Sequence, residues 1–171
     1  GLNGGSIPVR GGVMVVLTRL ERILEIDPRG RTATVEPGVI NMDLTARAAR
    51  SGLFYAPDPG SQAVSTIGGN VGNNAGGPHC LAYGVTGNHV LQMEVVLAKG
   101  EPVTVGSRAA DPPGYDLVGL LVGSEGTLGI VTSITVRLLR QAEAVRTMLA
   151  VFEHLRDPAA GPGHRLPRRR P

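Results

Sequence analysis

Residues 57–87, PDPGSQAVSTIGGNVGNNAGGPHCLAYGVTG, carry eight glycines in 31 positions, and this density constrains the chain more than any other feature. Glycine weakens helix and strand interiors. It is required where φ is positive or where another group comes close to the backbone. The spacing therefore predicts a long irregular segment with no regular element. Ser61, Ser65, Thr66, Asn70, Asn73 and Asn74 add short donors and acceptors. Such a surface of backbone N–H groups and small polar side chains suits a large, flat, polar or phosphorylated ligand. The alternative is a glycine-rich loop with no ligand; long irregular loops inside compact domains are usually functional, which favours the ligand.

Two further clusters share this character: GLNGGS at residues 1–6 and GSEGTLGI at 123–130. Backbone nests of this kind bind phosphate. Neither cluster is a GxGxxG dinucleotide fingerprint, and no GxxxxGK phosphate loop occurs, so Rossmann and nucleoside-triphosphatase readings lack their motif. Three loops converging on one extended ligand is the expectation.

Composition narrows the class. In 171 residues, a hydrophobic content of 42% suffices for one core. No apolar run approaches the ~20 residues of a membrane helix, and no basic-then-apolar leader opens the chain. Cys80 is the single cysteine, which makes a reducing, cytoplasmic setting the default. The net charge of +3 is local: residues 154–171 hold five arginines against Asp157, leaving the rest at −1. That body has no electrostatic footprint for nucleic acid, and the Pro/Arg-rich tail reads as disordered. No HExxH or Cys/His spacing supports a metal site. Cys80 beside His79 is no nucleophile–base pair, because neighbours in an extended chain point apart.

Periodicity gives the elements. Residues 13–18 (VMVVLT) read as a buried strand, and residues 23–27 and 32–36 as strands around the Pro28-Arg29-Gly30 turn. A short helix follows, with Asn41 as N-cap, Leu44, Ala48 and Ala49 on one face, and Gly52 as its left-handed stop. Residues 90–98 and 102–105 flank Lys99-Gly100-Glu101 as a hairpin. Residues 116–122 form one or two helical turns, 127–139 read as a long strand that alternates from Ile130 onward, and 148–152 begin another. Many strands and few short helices make the fold α+β. Three parts are expected: a domain over 1–140, the start of a second over 141–153, and the tail over 154–171.

With their surroundings, the glycine clusters resemble a known family. STIGGNVGNNAGGPHCLAYGVT, VLQMEVVLAKGE, DPPGYDLVGLLVGSEGTLGIVT and VEPGV are similar, in that order, to the PCMH-type FAD-binding domain of the vanillyl-alcohol-oxidase type of FAD-linked oxidases. The likeness spans about residues 1–152 and is strongest to the branch acting on 2-hydroxy acids such as glycolate and D-lactate. It implies FAD as cofactor, hydride transfer to flavin N5, an iron–sulfur acceptor subunit and a second flavin-fold subunit. A cytoplasmic place follows, peripheral at the inner membrane through partners.

The resemblance also implies roles. Gly1, Gly4, Gly5 and Ser6 match the second half of the loop cradling the FAD pyrophosphate. Pro59, Gly60, Ser61, Thr66, Ile67, Gly68, Gly69 and Asn70 would pass along the flavin and its ribityl chain. Asn74, Ala75, Gly76 and Gly77 would approach the isoalloxazine ring, followed by Gly84 and Val85. Glu125, Gly126, Gly129, Ile130 and Val131 would hold the adenosine end. His79 is the one catalytic candidate: it orients an anionic substrate, bonds the flavin, or is structural, and the residues alone leave all three open. Asn70 and Asn74 as simple left-handed turns, and Glu125 as a helix-end carboxylate, also stay open. Relatives begin earlier and continue into a cap domain carrying the histidine base. The expectation is therefore a truncated flavoprotein domain with little turnover of its own. A non-catalytic scaffold subunit with the same fold is the alternative.

Overall fold

The computed structural model describes Gly4, residues 7–109 and residues 113–144. Gly1–Gln141 form one compact unit and Ala142–Pro171 another; of the second only residues 142–144 are described. The strand expected at 148–152 and the tail at 154–171 lie outside the described residues.

Alternating apolar residues build a five-stranded sheet. Its strands are β1 (Ile23–Asp27), β2 (Thr32–Val35), β4 (Val90–Val96), β5 (Pro102–Gly106) and β6 (Ile130–Arg137), in the order β1-β2-β6-β4-β5. Every pairing is antiparallel. Central β6 sits between β2 and β4, with Val35 opposite Ile134 and Met93 opposite Ile134 on the other side. The Oγ1 atoms of Thr34 and Thr135 meet at 3.0 Å across that seam. Val35, Met93, Val95, Ile134 and Val136 are fully buried on one face. A two-stranded ribbon pairs β3 (Leu53–Phe54) with β7 (Leu139–Arg140).

Among the described residues four short α-helices, α1 (Asn41–Ala49), α2 (Ile67–Asn73), α3 (Cys80–Tyr83) and α4 (Leu117–Leu121), and a 3-10 turn at Thr86–Asn88 accompany the sheets. Leu44 and Ala48 of α1, and Ile67 and Val71 of α2, share the i, i+4 spacing that puts two residues on one face. All four join the core cluster. The α+β class, the 90–105 hairpin and the 41–49 helix stand as the sequence reads. The long strand starts at Ile130 and stops at Arg137, before β7, and α1 ends on a right-handed Arg50 cap, with Gly52, at φ +67°, in the turn beyond.

Three local expectations are corrected. Residues 13–18 form no strand: a ladder needs a partner, none pairs with them among the described residues, and Val13–Val16 are exposed. Second, the 57–87 segment is not wholly irregular. Thr66 Oγ1 caps α2 by accepting from the Gly69 amide at 3.1 Å, and Ile67 and Val71 anchor the helix in the core. Tertiary burial here outweighs glycine's poor helix propensity. Third, Asn41 does not cap α1. It is the first helical residue, buried, and its Nδ2 donates instead to the Pro57 carbonyl at 3.0 Å, pinning the glycine-rich segment to the helix.

Candidate functional site

The floor of the site is laid by Pro37 and Gly38, just past β2. The Gly38 amide donates to the Leu20 carbonyl at 2.7 Å, and a Cβ on Gly38 would lie 2.7 Å from the Leu17 and Leu20 oxygens. Glu36 is clamped by Arg22, whose guanidinium and amide both reach its carboxylate at 2.7 Å. Hydrogen bonds from that guanidinium hold the Glu36 carboxyl below its ordinary value. The Gly68 amide then donates to the Pro37 carbonyl at 2.8 Å, and a Gly68 Cβ would stand 2.5 Å from the proline ring. Helix α2 is thereby seated against the end of β2.

The other end of α2 is closed by the second glycine cluster. Asn74 terminates the helix in the left-handed conformation at φ 48°, and its Oδ1 accepts from the Gly87 amide at 2.9 Å. The Gly123 and Glu125 amides donate to the carbonyls of Val71 and Gly72, at 2.8 and 2.9 Å. These bonds satisfy carbonyls that a helix end otherwise leaves open.

Between these supports lies a cleft of about 450 Å³. It brings together Gly68, Gly126, Gly129, Ile130 and Val131 of the sequence-derived set with Pro37, Val71 and Gly72, which sequence reasoning did not assign. Their available signal was the VEPGV segment for Pro37 and the inward i, i+4 face of α2 for Val71. Residues 7, 8, 13–15 and 17 form the opposite wall. Exposed Val13, Met14 and Val15 thus face a cavity rather than a strand partner. Gly126 has φ +77°, no atom within 4 Å of a built Cβ, and an amide without a hydrogen-bond partner among the described residues.

A second cavity, of about 300 Å³, opens beyond α2. Phe54, Tyr55, Asp58, Gln62, His79 and Tyr83 line it. His79 Nδ1 pairs with Asp58 Oδ2, and the His79 amide reaches Asp58 Oδ1 at 3.4 Å. The Tyr83 ring stands 5.8 Å from Phe54 in a T-shaped contact. Beneath them His89 is buried, its Nε2 2.8 Å from the Tyr83 carbonyl, and burial lowers its pKa. Burial likewise pushes the Tyr55 phenol up, with the Thr86 hydroxyl opposing.

The remaining sequence-derived residues divide. Gly1, Gly5 and Ser6 lie outside the described residues; Gly4 is in place, at φ +70°. Pro59, buried, and the exposed Gly60 and Ser61 form a turn closed by Gln62 N to Pro59 O at 2.8 Å, lining neither cavity. The amides of Ile67, Gly68, Gly69 and Asn70 are taken by Val39, Pro37 and Thr66, and Ile67's side chain is fully in the core. Ala75 spends its carbonyl on the Thr86 amide and hydroxyl, at 3.0 and 2.7 Å. Gly76 and Gly77 pack on Cys80 and Asp58, and Gly84 and Val85 turn the chain out of α3. Among the described residues no cluster of three or more metal-ligating side chains occurs, and no helix is long and apolar enough to cross a membrane.

Comparison with known proteins gives this geometry a context. The family model described as FAD binding domain matches residues 1–106. Glycolate oxidase subunit GlcD of Escherichia coli strain K12 is 49% identical over 153 residues, covering 90% of this chain and 31% of that protein. A D-lactate dehydrogenase of Anaerostipes hadrus is 40% identical over 158 residues, covering 92% and 33%. Among solved structures, an alkyldihydroxyacetonephosphate synthase superposes with a TM-score of 0.73 at 28% identity, covering 84% of this chain and 28% of that one. The chain thus spans about a third of the length of these relatives. It belongs to the FAD binding domain family, and FAD is its cofactor.

Proposed function

We propose that this chain is the FAD-binding part of an oxidoreductase that oxidises a 2-hydroxy acid of the glycolate or D-lactate type. Five of the residues assigned to the adenosine end and the flavin path, drawn from two distant glycine clusters, line one cleft, and this observation carries the reading. The cleft fits part of such a cofactor. Its lining is largely apolar, as a flat ring requires. Gly72 and Gly126 leave room that side chains would fill: a built Cβ is 3.8 Å from the nearest atom at Gly72 and meets nothing within 4 Å at Gly126. Bound FAD supplies the two-electron acceptor.

The chain's own residues bind and orient. Val71, Ile130 and Val131 would exclude water from a ring in the cleft, and the Gly126 amide is a free donor at its rim. Asn74–Gly77 leads from this cleft toward His79, so the reactive end belongs near the second cavity, with His79 contacting the substrate. The 2-hydroxy acid, an iron–sulfur acceptor, a second flavin-fold subunit and a peripheral membrane location come from the relatives' character. So does the division into 1–140, 141–153 and 154–171, with turnover by this chain alone small or absent.

A direct test mixes the purified chain with FAD and follows flavin fluorescence and the visible flavin absorption band. Quenching with a shifted band is expected, and Gly126→Val should weaken it. A folded chain that leaves both signals unchanged would defeat the proposal.

A further inference from the structure

We infer that Asp58 is a positioning residue: it fixes His79 in the tautomer protonated at Nδ1, so that Nε2 faces the second cavity as a hydrogen-bond acceptor for a substrate hydroxyl. This rests on the reading above that His79 contacts the substrate. It adds a role to those named earlier and argues against anion binding through Nε2: an acceptor there receives a hydroxyl proton, whereas a donor there would hold a carboxylate.

The pair is built into the fold. Pro57, one residue before Asp58, is fastened by the buried Asn41 side chain at 3.0 Å. The Asp58 side chain is only 19% exposed, while that of His79 is 67% exposed and open to the cavity. Both Asp58 oxygens are engaged by His79, one at the ring and one at the amide. Space for the carboxylate is created by Gly77, where any Cβ would overlap the Asp58 carbonyl and side chain. A loose surface ion pair has no such clearance reserved for it.

Tautomer follows from partner. The nitrogen facing an acceptor carries the proton and leaves the other with its lone pair. A carboxylate is acceptor-only when ionised, so Nδ1 is the protonated atom in neutral His79. Nε2 makes no hydrogen bond among the described residues. His89, close by, has the opposite arrangement: its Nε2 meets the Tyr83 carbonyl and so holds the proton.

The two histidines make the experiment self-controlled. The 15N-histidine-labelled chain is recorded in a long-range 1H–15N correlation at a pH where the rings are neutral, with His79→Gln and His89→Gln assigning the two signals among the chain's four histidines. His79 should show the Nδ1-protonated pattern and His89 the Nε2-protonated one. Asp58→Ala should convert His79 to the Nε2-protonated form while His89 stays unchanged, reporting an intact fold. Gly77→Ala should do the same with Asp58 still present; were it to unfold the chain, the His89 pattern would vanish and Asp58→Ala alone decides. An Nε2-protonated His79 in the native chain, or one indifferent to Asp58→Ala, overturns the inference. D-lactate added to the FAD-loaded sample separates the underlying reading: a shift of the His79 Nε2 signal supports substrate contact. The expected tautomer without any shift keeps Asp58 as positioning residue and removes the substrate from His79.

Discussion

The two glycine-rich segments, 57–87 and 123–129, look alike in sequence and do different work in the structure. In the first, the missing side chains at Gly68, Gly76 and Gly77 make room for the protein itself, while Gly60 and Gly72 stay open. Pro37 occupies the space above Gly68, Cys80 and Val85 that beside Gly76, and Asp58 that beside Gly77. The amides of 67–70 are likewise consumed internally. In the second, Gly123 and Gly126 are glycines for their backbone angles, at φ +83° and +77°, and Gly126 looks onto open space, while Gly129 alone is packed, against Val95. Glycine density therefore reports two needs that a sequence cannot separate: chain packed on chain, and a turn left open to a ligand.

Substitutions separate them. Gly77→Val should be the most damaging, since its side chain has no volume to enter; overpacking of this kind costs about 3 kcal/mol, and the urea midpoint should fall accordingly. A midpoint within error of the parent would mean that Asp58 moves aside freely. Gly126→Val should cost less stability, about 1–2 kcal/mol from a branched residue forced into the left-handed region. Its main effect should be on FAD, with affinity reduced at least tenfold in a fluorescence titration. If stability alone changes, the open space at Gly126 is not the cofactor's.

Acid should destabilise the unit through His89, which is seated on the Tyr83 carbonyl of the first segment. Burial lowers the pKa of His89 from its ordinary 6.5, so the folded state takes up fewer protons than the unfolded state once pH falls below that value. Stability is then full above pH 6.5 and declines beneath it. Thermal unfolding between pH 7.5 and pH 5.5 should show this slope, diminished in His89→Gln. At the small end, Gly60→Ala meets nothing within 4 Å and has an ordinary φ, so it should change stability by less than about 0.5 kcal/mol. A large loss there would break the division between packed and open glycines.

What could be read from the chain follows the range of the forces involved. The hairpin of β4 and β5, the alternation in β6 and the face of α1 are local patterns, and each survives into the structure. Helix α2 was hidden because seven residues containing three glycines carry no helical propensity; its support comes from Pro37, far off in sequence, and from a core that no local window displays. Residues 13–18 mislead for the converse reason. Their apolar run is real, but a strand is defined by a neighbour. Asn41 reads as a cap, and Asp58 goes unread, because each works through a contact more than a dozen residues away, Asn41 with Pro57 and Asp58 with His79.

The central place of β6 governs how this molecule comes to be made. Its two neighbours, β2 and β4, emerge from the ribosome well before it, yet neither can hydrogen-bond on its inner side until it arrives; Thr34 waits 101 residues for Thr135. Assembly is consequently committed late, and slowly, as contacts so distant along the polymer demand. A nascent chain arrested near residue 125 would present two unzipped edges at once, and is the species that a holding chaperone would be expected to find.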